Sequence, residues 1–134
     1  MITLELARRV VHEAGVLWEP APGDRFVIDA ELLTGDIFWV SDLTVEPQTF
    51  GEQTVLGFNG TTEWALDSVS LDKALWLPRE DQLRALLGDR LETLRRTEEG
   101  WEVTYAGSAG SRHTVTDPDV ECAYARALLS LQAY

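Results

Sequence analysis

Cysteine is nearly absent from this 134-residue chain. Cys122 stands alone, so no intramolecular disulfide can form, and an oxidising compartment would give the fold nothing. Lysine is as scarce, with Lys73 set against ten arginines, a bias that points through codon usage to a GC-rich genome. The two histidines, His12 and His113, are far apart, and no carboxylate holds a metal-ligand spacing to either. Asp117 and Asp119 near His113 read as helix-capping residues beside a surface histidine. No apolar run approaches the ~20 residues that span a bilayer. Arg8 and Arg9 sit inside a helical pattern with no apolar segment after them, so no signal peptide is expected and the expected location is cytoplasmic.

The motifs of nucleotide and acyl chemistry are missing too. There is no G-x-x-x-x-G-K-[ST] loop, no G-x-G-x-x-G after a strand and no G-x-S-x-G elbow. A nucleophilic Cys–His pair would have to join Cys122 to one of the distant histidines. The place of Cys122 beside a helical apolar stripe predicts an inert, half-buried thiol instead. Glu80–Asp81 and Glu98–Glu99 fall at a helix start and a turn, where local structure accounts for them. The expectation is a chain without catalytic residues, cofactor or metal.

Acid is what the chain has in excess. It carries 23 Asp and Glu against 11 Lys and Arg, a formal net charge of −12. The acidity reads as scattered along the chain, with no acidic tail. Such a field repels nucleic acid and anionic membranes, which bind through Lys and Arg, and steers basic partners in. At 45% hydrophobic and 25% charged, the composition is that of an ordinary globular protein, and the length suits one domain spanning residues 1–134.

Leu4, Ala7, Val10, Val11 and Ala14 form one apolar stripe of a helix over about 3–15, with Gly15 as its left-handed exit. Pro20–Asp24 is a turn segment. Phe26–Ile28 reads as a strand, and the continuous run Ile37–Val40 as a strand buried on both faces. Leu43–Val45 resumes extended structure, and Pro47 confines that strand to an edge or a bulge. Asn59-Gly60 predicts a two-residue hairpin joining Thr54–Phe58 to Thr61–Leu66, with Val55 opposite Trp64. Pro78 opens a helix over 78–88 with Leu83, Leu86 and Leu87 inward. A second hairpin over 91–106 turns at Thr97–Gly100. This register sets Leu94 against Val103 and Arg95 against Glu102, whereas a shorter loop would set Arg95 against Val103. His113–Val115 is a further short strand. The last helix covers 118–132, capped by Thr116 or Asp117 and started by Pro118. Its buried face is Val120, Tyr124, Ala127, Leu128 and Leu131. The fold class is therefore α+β: largely antiparallel sheet with three helices, in the order helix, about five strands, helix, three strands, helix.

Five tryptophans stand out: Trp18, Trp39, Trp64, Trp76 and Trp101. Trp39 reads as core and Trp76 as buried on at least one side. Trp18, Trp64 and Trp101 are the candidates for a partner-binding or dimer surface, since tryptophan is enriched in binding hot spots. Asp36, Asp42, Glu63 and His113 are the polar groups to inspect for a ligand pocket.

The segments WEPAPGDRF (Trp18–Phe26), GFNGTTEWALDSV (Gly57–Val69) and ALWLPREDQL (Ala74–Leu83) resemble a family of short actinobacterial proteins often labelled pilus assembly proteins. The resemblance covers nearly the whole chain and implies no catalytic residues. The C-terminal part is similar to small phage and Gram-positive proteins without an assigned role. In element order and charge, the chain is similar to type III secretion chaperones, which are non-catalytic dimers that hold an extended client. The leading expectation is a non-enzymatic protein-interaction or accessory module, self-associating or bound to another protein. The alternatives are a small-ligand binder or enzyme with an unrecognised site, and an acidic mimic of nucleic acid.

Overall fold

A computed structural model describes residues 1–28, 36–40 and 73–131, and the backbone of 45–50, 53–58, 68–70 and 132. The described elements are three α-helices, two single-turn 3-10 helices and nine strands, all the sheets being antiparallel, so the protein is α+β. Six strands, rather than about five, lie between the first two helices. The chain divides into two compact units, Trp18–Leu77 and a unit joining Met1–Leu17 to Pro78–Tyr134.

In the unit that joins the two ends, helix α1 (Leu4–His12) begins where the Thr3 hydroxyl accepts the Leu6 N–H at 3.2 Å. Gly15 leaves it at φ 66°, a left-handed exit as expected. Its buried residues are Leu6, Ala7 and Val10. The inward stripe is thus rotated to take in Leu6 and leaves Leu4, Val11 and Ala14 half-buried. Helix α2 (Glu80–Leu87) starts two residues after Pro78, because Arg79 is extended and caps it. Gln82 Oε1 accepts the Arg79 N–H at 2.9 Å, and Gly88 ends the helix at φ 57°. Leu83 and Leu87, four residues apart, point inward, while the expected third member, Leu86, faces solvent.

Strands β7 (Leu91–Thr97), β8 (Gly100–Ala106) and β9 (Arg112–Asp117) form one sheet in that order. The hairpin register is the one argued from charge and apolarity: Leu94 lies opposite Val103, and Arg95 opposite Glu102 with an ion pair at 3.1 Å. The ladder continues to Thr97–Gly100, so Glu98 and Glu99 alone form the turn. Helix α3 (Val120–Gln132) packs against α1, α2, β8 and β9. Its expected single stripe is too narrow, because Cys122 to Ala125 and Ala127 to Leu129 are all buried. Burial of this breadth is what a central helix requires. Val120 and Leu131, placed on the stripe, are only half-buried. The cap also moves. Asp119 Oδ2 accepts the Cys122 N–H at 3.0 Å, while Asp117 is still in β9 and its Oδ1 accepts the Asp119 N–H at 2.9 Å. The helix therefore starts beyond Pro118, after a turn that the strand end dictates.

The unit Trp18–Leu77 holds two sheets. In the first, β1 (Arg25–Ile28) is central, with β2 (Ile37–Trp39) on one side and β6 (Ala74–Leu77) on the other. The Ala21–Asp24 turn leads into β1. Asp24 N–H donates to Ala21 O at 3.1 Å, with Pro22 second and Gly23 third at φ 93°, the residue order of a type II turn. Phe26, Ile28 and Val40 form a core cluster, with Trp18, Phe38 and Ala74 packed against it. In the second sheet, β4 (Gln53–Phe58) lies between β3 (Val45–Phe50) and β5 (Ser68–Ser70). Pro47 lies on β3, an edge strand, as its missing N–H demands. Val55 pairs with Gln48 on one side and Ser70 on the other. Both edges of β4 are occupied there, so the expected Val55–Trp64 pairing is excluded. The Asn59-Gly60 turn and Thr61–Leu66 lie outside the described residues.

Gly100 tests the β8–β9 corner. It has φ 125°, and a Cβ built on it would lie 2.5 Å from both Asp117 O and Pro118 Cα. Neither is a side chain that can swing away. Gly100→Ala is expected to cost about 2 kcal/mol or more, read by urea unfolding at fixed pH.

Candidate functional site

Three of the polar groups singled out from the sequence, His113, Asp117 and Asp119, are engaged by the fold. His113 Nε2 lies 3.0 Å from Ser111 Oγ, and its ring stacks on Tyr105 at 5.6 Å. His12 is exposed on the last turn of α1. Asp117 pairs with Arg126 at 2.8 Å. Asp119 pairs with the Met1 amine at 2.7 Å while it caps α3. Asp36 is exposed just before β2; Asp42 and Glu63 lie outside the described residues. Among the described residues, no group of three or more His, Cys, Asp or Glu could hold a metal ion.

Cys122 is buried, at 3% exposed, deeper than expected. Burial pushes its thiol up from the ordinary value, and the charges of Asp119 and Asp117 add to this. For Asp119 itself, burial opposes ionisation. The amine of Met1 and the N–H of Cys122 outweigh that and hold the carboxyl below its ordinary 3.8.

The tryptophans separate into three kinds of environment. Trp18 is half-buried and structural: its Nε1 donates to Asp24 Oδ2 at 2.9 Å, and its ring lies parallel to that of Trp76 at 6.5 Å. The same Asp24 oxygen accepts the Ala21 N–H at 3.1 Å, so one buried carboxylate fixes both the indole and the turn. Trp76 is buried, and its Nε1 has no hydrogen-bond partner among the described residues. Trp101 is half-buried, with the Arg96 guanidinium 5.9 Å from its ring centre. Trp18 and Trp101 belong to different units, and Trp64 lies outside the described residues.

Trp39 is the exception. The run that contains it was expected to be buried on both faces, with Trp39 in the core. Instead Trp39 is 52% exposed and Ile37 40%. The reason is the period of a strand. Phe38 turns to one face and stacks on Phe26 at 5.6 Å, while Ile37 and Trp39 turn together to the other. Along that second face the neighbours are buried: Val27 and Leu75 lie level with Ile37, Arg25 and Leu77 with Trp39. Arg25, only 8% exposed, donates from Nε to Leu77 O at 3.3 Å, and its guanidinium lies 5.9 Å from the Trp39 ring centre. The result is an exposed apolar pair on an outer strand, and no described strand pairs with the outer side of β2.

Charge is divided unevenly, contrary to the even spread read along the chain. The unit Trp18–Leu77 holds eleven acidic residues against Arg25 and Lys73, a formal net charge of −9; the remainder of the chain carries −3. No protein-family model, curated protein or solved structure matches the chain.

Two measurements follow from the α3 start. The Cys122 thiol is expected to react with a disulfide reagent about a hundredfold more slowly in the native protein than in denaturant; a fast native reaction would contradict its burial. Because Asp119 is a stronger acid when folded, its stabilisation is complete above the ordinary value and is lost as pH falls through the lower folded value. Asp119→Asn keeps an oxygen to cap Cys122 but loses the charge, so its melting temperature is expected to fall less steeply than wild type below about pH 4.

Proposed function

We propose that this chain is a non-catalytic protein-interaction module that docks its partner on the outer strand β2. The observation that carries this reading is the exposed pair Ile37 and Trp39 on one face of a sheet edge. An edge strand offers unpaired backbone N–H and C=O groups, and proteins blunt such edges with charge, proline or a cover. Here the outward side chains are apolar. Strand addition uses this combination: the backbone ladder supplies affinity, and alternate side chains supply selection. Tryptophan suits the central position because it brings a large contact area with few rotatable bonds. Arg25 holds the indole in place from the buried side of the same face.

The polar inventory supports a non-enzymatic role. Among the described candidates, Asp117, Asp119 and His113 are tied into an ion pair, a cap and a ring stack, and the Cys122 thiol is buried. A reactive centre needs several such groups converging on one open space.

The test is capture from the native host with immobilised wild type and with Ile37→Ser/Trp39→Ser. Both side chains are exposed, so the double variant is expected to keep the wild-type circular dichroism and melting transition. The captured protein is expected to be held by wild type and lost, by about tenfold or more, from the variant. Equal capture by both would refute docking at β2.

A further inference from the structure

Residues 26–72 span 47 positions with nine Asp or Glu and no Lys, Arg or His. β2 lies inside this stretch, with Asp36 directly before it and Asp42 two residues after Val40. Arg25, level with Trp39 on the neighbouring strand, is 8% exposed and turned over the indole, so it gives the surface little positive charge. We propose that the partner of β2 is a basic polypeptide segment in extended conformation, adding as a strand with apolar residues facing Ile37 and Trp39 and Lys or Arg in alternate positions. The proposal rests on β2 being the docking edge and adds the chemistry of what docks there.

Charge decides between the occupants. A second copy pairing β2 with β2 would bring two units of net charge −9 together. Like charges across a sheet edge are destabilising, and a field of this size slows encounter. An acidic partner meets the same repulsion. A basic segment gains on both counts: it is steered in, and its cations offset the carboxylates while its alternate side chains cover the apolar pair. The period of two that brings Ile37 and Trp39 to one face imposes the same period on the ligand.

The probe is a fluorescent peptide of about ten residues alternating lysine and valine, titrated with the full chain and read by anisotropy. Binding is expected at about 50 mM salt, with a loss of about tenfold or more at about 500 mM. Ile37→Ser/Trp39→Ser is expected to weaken it about tenfold or more. Methylating alternate amide nitrogens of the peptide, which removes ladder donors without touching the protein, is expected to abolish it. A glutamate–valine peptide is expected not to bind.

Absence of binding by the lysine–valine peptide would overturn the proposal. So would equal binding by the glutamate–valine peptide or by the N-methylated peptide. Equal binding by a lysine–serine peptide, indifferent to the double variant, would overturn it in favour of a polyanionic decoy. A dimer seen by light scattering that strengthens with salt and is lost in Ile37→Ser/Trp39→Ser would overturn it in favour of a second copy. The two readings fail separately. A captured partner that needs Ile37 and Trp39 but is acidic leaves docking at β2 standing and removes the basic segment. Capture indifferent to both side chains removes docking itself.

Discussion

One carboxylate sits where three parts of the chain meet. Glu121, in the first turn of α3, accepts the Ile2 N–H on one oxygen at 2.9 Å and the Glu80 N–H on the other at 3.1 Å. The first residues before α1 and the first residue of α2 are thereby fixed to the same turn of the central helix. Both donors belong to helix starts or their approaches, where backbone N–H groups have no partner inside a helix. A charged acceptor bonds them more strongly than a neutral one would. Beside it, Asp119 caps α3 and pairs with the Met1 amine. Two acids that look like ordinary first-turn residues thus join segments more than a hundred residues apart. The apolar burial around α3 supplies most of the driving force, but these directional bonds choose which helix start lies against which.

The unit Trp18–Leu77 uses the same device for another end. Asp24 holds the Trp18 indole and closes the turn into β1, and Trp18 then covers Trp76 and Phe26. This packing fills one face of the sheet. The Trp18 ring and its N–H are both engaged within the unit. The opposite face keeps Ile37 and Trp39 uncovered on the outer strand. Large exposed apolar side chains on an edge are a liability in a soluble chain. They stand beside a stretch of residues whose charges are all acidic, a combination on which the proposed docking of a basic strand rests.

Legibility of the fold varied with how local its cause was. The register of the 91–106 hairpin at Leu94–Val103 and Arg95–Glu102 was readable, since it satisfied an apolar pair and a charge pair together and the alternative satisfied neither, whereas the two-residue turn and the irregularity between Leu91 and Thr93 were not. Gly15, Gly88 and Pro47 stood where their backbone preferences place them. The hairpin at Asn59-Gly60 shows the opposite case. A strong turn signal fixed a pairing in the sequence, yet Val55 is bonded to Ser70, because a strand has two edges and more distant segments compete for them. Trp39 was placed in the core because apolarity over four residues cannot say whether a second layer covers both faces.

What the sequence determined by itself was the class of the fold, the absence of familiar catalytic motifs, the acidic field and the elements set by short-range rules of capping, turn geometry and side-chain alternation. Those rules act over a few residues, and their inputs are all present in the string of letters. The tertiary structure decided which carboxylates became anchors and which tryptophans were consumed by packing. It also decided that Ile37 and Trp39 stand exposed. Each of these depends on what lies across space from a residue, and burial and edge occupancy exist only once distant segments have met.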